Sequence, residues 1–277
     1  MLRRRGPDAE GVANARELSR QGVAAMELGQ WQQAEELLKK ALYTAPDDAS
    51  THRSMAEVLW HRNAKAEAIG EIEEAVKLDP SNAALAARAG EMSLTAGDRD
   101  IALAHAEQAI RSDPKLSAAW ALRGRCFQQA NQPDRALADL QHALEFAPDS
   151  SDVLLDVAVI YRQRGQAARC LTSLHSLLDT YAPGDEPQSV LMLQGLTLMD
   201  LGRPQQAIEP LAAAAKRGKP NADVLCYLAQ AYSAAGQLEH ATKTAHEALA
   251  LNGAHQQSKL LLTQLAARSA PGETLAR

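Results

Sequence analysis

Prolines recur along the chain at one fixed interval, and this feature constrains the fold more than any other. Pro46, Pro80, Pro114 and Pro148 each lie 34 residues beyond the previous one. Proline ends a helix because it lacks an amide N–H and crowds the preceding turn. Four stops at one spacing therefore indicate a chain built from repeated helical units of 34 residues.

Small side chains form columns when the chain is aligned in these units. The units start at Ala15, Ala49, Ala83, Ser117, Ser151, Gln188 and Ala222, and three extra residues precede the sixth. The eighth position holds only Gly or Ala, the twentieth holds Ala except at Cys170, and the twenty-seventh holds Ala except at Leu177. Because helix axes approach closely only where the side chains between them are small, the columns predict helix crossings.

The fifteenth position of each unit predicts a tight turn. It reads Gly29, Asn63, Gly97, Asn131, Gly165, Gly202 and Gly236. Gly and Asn are the residues that tolerate the left-handed conformation just past a helix end. Each unit is therefore expected to be a helix, a turn and a second helix. Strand-forming runs are scarce while Ala and Leu, strong helix formers, abound, so we expect an all-α fold.

One unit carries a recognisable set of residues at fixed places. It has Trp120, Gly124, Phe127, Ala136, Leu140, Ala143 and Pro148. These match the pattern W-x₂-L-G-x₂-Y, then A-x₃-F, then P, so the chain resembles the tetratricopeptide repeat family over roughly residues 15–253. The resemblance implies a right-handed α-solenoid of helix-turn-helix hairpins with a C-terminal capping helix.

The repeat alignment predicts the organisation of the whole chain. Seven repeats are expected at 15–48, 49–82, 83–116, 117–150, 151–187, 188–221 and 222–253. A loose segment, 1–14, precedes them, and a capping helix, 254–269, and a tail, 270–277, follow. Stacking should be least regular around repeats five and six, where turn-rich residues 181–187 and a displaced Pro220 interrupt the pattern.

No motif of catalysis or metal binding stands out. Cys126, Cys170 and Cys226 have neither zinc nor redox spacing, the histidines form no HExxH, and no phosphate-binding glycine loop occurs. Cys170 falls in a small-residue column and is expected to be a buried structural thiol. We therefore expect no enzyme activity, no metal and no cofactor.

The family resemblance places a partner in a concave groove lined by the first helices. Side chains near positions 2, 5, 9, 12 and 13 of each unit would face it. The candidate residues are Arg53, Glu57, Trp60, Arg88, Glu91, Arg125, Gln128, Leu155, Val159, Arg162, Met192, Leu196 and Met199. The groove should be charged and polar in the early repeats and apolar in the late ones, with Trp60 as the best anchor.

Each part of this groove has an alternative role. Met192, Leu196, Met199 and Trp60 could instead pack against a neighbouring helix. The arginines of repeats two to five could form a ladder for an acidic peptide, or could be paired with glutamates. The carboxylate clamp of co-chaperone repeats is rejected, because only Arg88 occupies one of its required places.

The leading functional hypothesis is a protein-interaction scaffold or adaptor that binds a peptide or protein segment. The alternative is a helper or targeting domain of a larger enzyme or of a secretion or assembly machine. A net charge of −5 and the lack of a basic stripe argue against nucleic acid. No apolar run reaches the roughly 18 residues of a membrane span.

The expected compartment is the cytoplasm, because an odd number of cysteines with no close spacing suggests reduced thiols in a reducing environment. Arg3, Arg4 and Arg5 are followed by Gly6 and Pro7 rather than by the apolar stretch of a signal peptide. A periplasmic or exported protein is the alternative if an N-terminal signal is missing from this chain.

Overall fold

The structure, a computed structural model, describes residues 9–269. Within that range it contains fifteen α-helices and no β-strand, which confirms the predicted all-α class. The helices are α1 (Ala9–Glu27), α2 (Trp31–Thr44), α3 (Ala49–His61), α4 (Lys65–Leu78), α5 (Ala83–Ala96), α6 (Arg99–Ser112), α7 (Ser117–Gln129), α8 (Pro133–Phe146), α9 (Ser151–Gln163), α10 (Ala167–Leu178), α11 (Gln188–Asp200), α12 (Pro204–Lys216), α13 (Ala222–Ala234), α14 (Leu238–Leu251) and α15 (Gln256–Ser269).

The chain divides into two compact units, Met1–Pro148 and Asp149–Arg277. The first unit contains α1 to α8 and the second contains α9 to α15. In each unit an odd-numbered helix packs against the even-numbered helix that follows it, and the second helix of each hairpin packs against the first helix of the next. The predicted stacking of helical hairpins in chain order is therefore confirmed within each unit, while the exact division into seven repeats remains our proposal.

The small-residue columns lie where the two helices of a hairpin cross. Every residue of the twentieth column, Ala34 through Cys170 to Ala241, is fully buried. At the eighth position of the fourth hairpin, a Cβ added to Gly124 would lie 2.9 Å from Leu140 Cγ and 3.1 Å from the carbonyl oxygen of Ala136. The crossing thus has no room for a larger side chain.

The turn inside every hairpin uses the left-handed conformation that the fifteenth column predicts. All seven residues of that column have positive φ, from 56° at Asn131 to 99° at Gly97. Side chains other than Gly and Asn rarely adopt this conformation. The column therefore marks the turn between the first and second helix of each hairpin.

The N-terminal prediction requires a correction. The segment 1–14 was expected to be loose, but α1 begins at Ala9, so residues 9–14 are helical. Alanines favour a helix, and Glu10 in the first turn interacts well with the helix dipole. Residues 1–8, and the predicted tail 270–277, lie outside the described residues.

The connections between hairpins differ at the two predicted irregular places. Most contain four residues, such as 45–48 and 79–82, but 179–187 contains nine and 217–221 contains five. The two long connections bind each other, because Arg217 Nη2 donates to Glu186 Oε2 at 2.9 Å. At the start of α11, Gln188 Nε2 also donates to the carbonyl oxygen of Arg217 at 2.6 Å.

Helix α15 covers the last hairpin. Leu261 and Leu265 pack against a cluster of Ala229, Ala241 and Ala245. His255 joins the helix to α13, since its Nε2 lies 3.0 Å from Asp223 Oδ1 and its Nδ1 lies 2.8 Å from Ser258 Oγ. The expected capping helix is therefore present as α15.

Candidate functional site

The residues predicted to bind a partner lie on the first helices of the hairpins. We call the surface at or next to positions 2, 5, 9, 12 and 13 of these helices the first-helix face, and each unit has its own. Arg53 is exposed, and the other twelve candidate residues are all half-buried. Partial burial is expected of side chains that stand on packed helices with their outer parts open to a ligand.

An ion-pair network joins two hairpins on the first-helix face of the first unit. Arg88 on α5 binds Glu57 on α3 through two hydrogen bonds, Nε to Oε1 at 2.6 Å and Nη2 to Oε2 at 2.7 Å. Its Nη1 also donates to Glu91 Oε2 at 3.0 Å. The hydrogen bonds to Glu57 raise the pKa of the Arg88 guanidinium despite its partial burial. Arg88 is thus paired with two glutamates of its own chain.

An ion pair between two first helices also occurs in the second unit. Arg162 on α9 donates from Nε to Asp200 Oδ2 on α11 at 2.7 Å. Arg88 and Arg162 are therefore not available to bind an acidic peptide as members of an arginine ladder. Both are paired with acidic side chains of this chain, in line with the alternative interpretation. Arg53 remains exposed on α3.

Trp60 combines packing with partial exposure. Its ring packs against the buried cluster that includes Ala56, Leu85 and Met92, which joins the second hairpin to the third. The Nζ atom of Lys65 lies 5.6 Å from the ring centroid, within the range of a cation–π interaction. Trp60 therefore contributes to inter-helix packing, and its remaining surface stays available as an anchor.

Helix α11 carries apolar residues around its whole circumference. Val190, Leu191 and Leu198 are buried in the core. Met192 and Met199 pack against clusters that include Val224 and Leu228 of α13. Leu193 and Leu196 are half-buried as well. A helix that is hydrophobic on all sides is normally buried on all sides, so its half-exposed side is unusual.

Helix α9 adds Leu155 and Val159 to the first-helix face of the second unit. Both are half-buried and lie on the same side of the helix as Arg162. The ion pair of Arg162 with Asp200 lies at one end of this face, next to the turns that follow α9 and α11. The predicted apolar character of the late repeats is thus carried by five side chains on α9 and α11.

The cysteines are structural. Cys126, Cys170 and Cys226 are free and buried, and burial raises the pKa of all three thiols, to about 11 for Cys126. Cys170 Sγ lies 3.2 Å from Thr197 Oγ1. Because the thiolate is the reactive form, none of these side chains is an activated nucleophile.

The described residues form neither a metal-binding cluster nor a membrane-spanning helix. Between residues 9 and 269, no group of three or more His, Cys, Asp and Glu side chains is placed to hold a metal ion. None of the helices in that range is both long and apolar enough to span a membrane.

Sequence reasoning missed several polar contacts on the other surfaces of the hairpins. Arg123 forms two hydrogen bonds with the buried Asp139, at 2.7 and 2.8 Å, and the rings of Trp31 and His61 stack with centroids 3.7 Å apart. The sequence held no clear signal for the ion pair, because the column of Arg123 is mixed and contains Gln21 and Gln194 as well as Met55 and Leu228.

Comparisons with known proteins agree with this architecture. Two sequence models of the tetratricopeptide repeat match the chain, one over residues 19–83 and the other over residues 98–253. The second match alone covers more than half of the chain. No curated protein sequence matches significantly.

Solved structures share the fold at low sequence identity. A tetratricopeptide repeat protein from Parabacteroides merdae ATCC 43184 has a TM-score of 0.63 at 17% identity, with 92% of this chain and 99% of that chain covered. PilW, a widely conserved type IV pilus biogenesis factor, gives 0.66 at 18%, with 73% and 92% covered. A chain of the APC/C hetero-tetramer Cut9–Hcn1 gives 0.70 at 16%, with 88% and 48% covered.

These identities establish a shared fold and nothing more specific. The family assignment therefore depends on the sequence models, on the hairpins stacked within each unit and on the geometry of the turns, which recurs from hairpin to hairpin. On that evidence the chain belongs to the tetratricopeptide repeat family.

Proposed function

We propose that this protein is a non-catalytic interaction scaffold or adaptor that binds a peptide or protein segment on its first-helix faces. Repeats of this family serve as scaffolds for protein interactions, and grooves lined by helices recognise extended or helical peptides through repeated side-chain contacts. The thirteen candidate residues named above are the proposed contacts.

The half-exposed side of α11 carries the proposal. Met192, Leu196 and Met199 lie at positions i, i+4 and i+7, so they form one stripe along the helix. Leaving such a stripe in water costs about 25 cal/mol for each Å² of apolar surface. A partner that covers it recovers that free energy, and flexible methionines adapt to differently shaped ligands.

In the first unit, Trp60 is the proposed anchor, because tryptophan is enriched at binding hot spots. The Glu57–Arg88–Glu91 network beside it pairs one guanidinium with two carboxylates and so carries one net negative charge. We propose no nucleic-acid partner, since the chain has a net charge of −5 and only 4% aromatic residues.

We also propose a reducing compartment such as the cytoplasm, because Cys126, Cys170 and Cys226 are all free thiols. Fractionation of cells that express a tagged chain tests this placement. Recovery of the protein outside the cytoplasm would contradict it.

Site-specific photo-crosslinking tests the binding surface. A photoreactive amino acid replaces Trp60 or Leu196 on the first-helix faces. Matched replacements are made at Tyr43, which is 89% exposed, and Leu251, which is 49% exposed, both on second helices. We expect discrete protein adducts from the first-helix positions after irradiation in cells, and none of comparable yield from the controls.

Equal adduct yields on the two surfaces would contradict the proposal, since the controls are more exposed and report random collision. The complete absence of adducts at both first-helix positions would contradict it as well. Circular dichroism of each variant checks that the helices are retained.

A further inference from the structure

We propose that the first-helix face of the second unit binds a protein segment in which apolar side chains adjoin lysine or arginine. This inference rests on the proposed function and names the chemistry of the partner at one face. It follows from the order of residues along the three first helices of that unit.

The face is made of three rows of side chains, one on each first helix of the unit. Positions 2, 5, 9 and 12 lie on one side of a helix because they are spaced by three or four residues. The rows read Asp152, Leu155, Val159 and Arg162 on α9, then Ser189, Met192, Leu196 and Met199 on α11, then Asp223, Cys226, Gln230 and Ser233 on α13.

The middle of the face is apolar and incompletely covered. Leu155 and Val159 on α9 and the Met192–Leu196–Met199 stripe on α11 are all half-buried. In the α13 row Cys226 and Ser233 are short and buried, at 0% and 8% exposure. A partner therefore needs apolar side chains that cover α9 and α11, because the accessible carbon surface lies on these two helices.

The beginning of the face is acidic. Asp152 and Asp223 occupy the same position in the first turns of α9 and α13. Asp152 is exposed, and the side chain of Asp223 remains 62% exposed although His255 Nε2 lies 3.0 Å from its Oδ1. Ser189 at the equivalent place on α11 contributes no charge.

The nearby cations do not cancel this acidity. Arg162 at the far end of the α9 row is neutralised by Asp200, and Arg217 in the neighbouring connection is held by Glu186. Lys219, which is exposed in the same connection, is one cation against the two aspartates of the rows. The remaining field at the start of the rows favours lysine or arginine beside the apolar residues of a partner.

Selection from a library of random displayed peptides tests the chemistry directly. The immobilised full-length protein is the bait, and Leu196→Glu, which adds a negative charge, and the milder Leu196→Gln, which adds only polarity, are parallel baits. We expect enriched peptides that combine leucine, methionine or aromatic residues with a neighbouring lysine or arginine, and loss of that enrichment in both Leu196 variants. Leu251→Glu, at an exposed leucine of α14, should enrich the same peptides as the wild type.

The affinity of one enriched peptide is then measured by fluorescence anisotropy. Asp152→Lys should weaken binding by about three- to tenfold, as expected for reversing one exposed charge, and added salt should weaken binding to the wild type. Glu239→Lys is the matched control, because Glu239 is an exposed acid in the first turn of α14, and it should leave the affinity unchanged.

The outcomes separate this inference from the proposed function. Enriched peptides that are acidic or polar, and that are lost in the Leu196 variants, would overturn the partner chemistry while the binding function stands. Enrichment that is the same on the wild type and on both Leu196 variants would overturn binding at this face. No effect of Asp152→Lys on affinity would overturn the role assigned to the acidic end.

Discussion

The crossing of two helices in a hairpin tolerates at most one methyl group at the eighth position. Ala56, Ala158 and Ala229 are fully buried there. At Gly22, Gly90, Gly124 and Gly195 an added Cβ would lie less than 3 Å from a leucine of a second helix or of the next hairpin. At these four positions the facing leucine therefore favours glycine.

This arrangement predicts opposite effects for two glycine substitutions. Gly124→Ala should lower the free energy of unfolding by about 1–2 kcal/mol, because Leu140 and the carbonyl of Ala136 must move and overpacking typically costs ~1–3 kcal/mol. Gly70→Ala in the exposed middle of α4 meets no atom within 4 Å. It should raise the free energy of unfolding by about 0.5–1 kcal/mol through helix propensity alone.

Denaturant unfolding followed by circular dichroism measures both changes. Because the two variants add the same methyl group, Gly70→Ala controls for the general effect of replacing glycine in a helix. Equal gains from the two substitutions would contradict the tight crossing at Gly124.

The turn column makes a second prediction at the residue scale. Asn131 has φ 56°, a conformation that costs most L-residues about 1–2 kcal/mol. Asn131→Ala should therefore lower the free energy of unfolding by about 1 kcal/mol, whereas Asn131→Gly should change it by less than about 0.5 kcal/mol. The midpoint of thermal unfolding ranks the variants, and a ranking with Ala above Gly would contradict the left-handed turn.

At the scale of single helices, the start of α3 depends on Asp48. Its carboxylate accepts hydrogen bonds from the backbone N–H of Ser50 at 3.3 Å, from Ser50 Oγ, and from Thr51 Oγ1. Burial raises the pKa of this carboxyl, but the hydrogen bonds from Thr51 and Ser50 outweigh it and leave the pKa below its ordinary value. The cap is therefore strongest when Asp48 is ionised.

The sign of the pH dependence follows from this lowered pKa. The stability that ionised Asp48 contributes is complete above the unfolded-state pKa of about 4 and is lost as the pH falls through the lower folded-state pKa. Asp48→Asn should be less stable than the wild type by about 1 kcal/mol or less near neutral pH, and the difference should shrink in acid. Parallel urea titrations at several pH values measure it, and a difference that does not change with pH would contradict the assignment.

The helices themselves were largely predictable, because the features that define them are local. Proline stops, the Gly or Asn turn and the small-residue columns each act within one hairpin. The first turns of α1 were missed, since they precede the first repeat and have no column to match.

The candidate site was predictable only in outline. Position in the repeat identified which side chains stand on the first helices, but not their partners. The pairing of Arg88 with Glu57 depends on the distance between α3 and α5, and the packing of Met192 and Met199 depends on α13. Such contacts are set by the stacking of hairpins, which a single repeat does not encode.

At the scale of the whole molecule, stability in a stacked array is a sum of hairpin terms and nearest-neighbour interfaces. A change at one end should therefore act on the adjacent hairpin and weaken with distance along the chain. Helix α15 is the last helix described in the second unit, and the first unit is stacked from its own four hairpins. Cys226 lies beneath α15, because its thiol contacts Ser258 of that helix, and Cys126 lies in the first unit.

These two buried thiols report separately on the two units. In a Cys170→Ala background, which restores the residue common to that column, removal of residues 254–277 should speed alkylation of Cys226 by about tenfold or more. Loss of α15 uncovers the thiol and ends the burial that raises its pKa. Cys126 is 1% exposed, has a pKa raised to about 11, and should be alkylated at an unchanged rate.

Mass spectrometry of time points with iodoacetamide measures both rates in one sample. Equal acceleration at the two cysteines would mean that the cap stabilises the chain as one cooperative body, and the nearest-neighbour account would then be wrong.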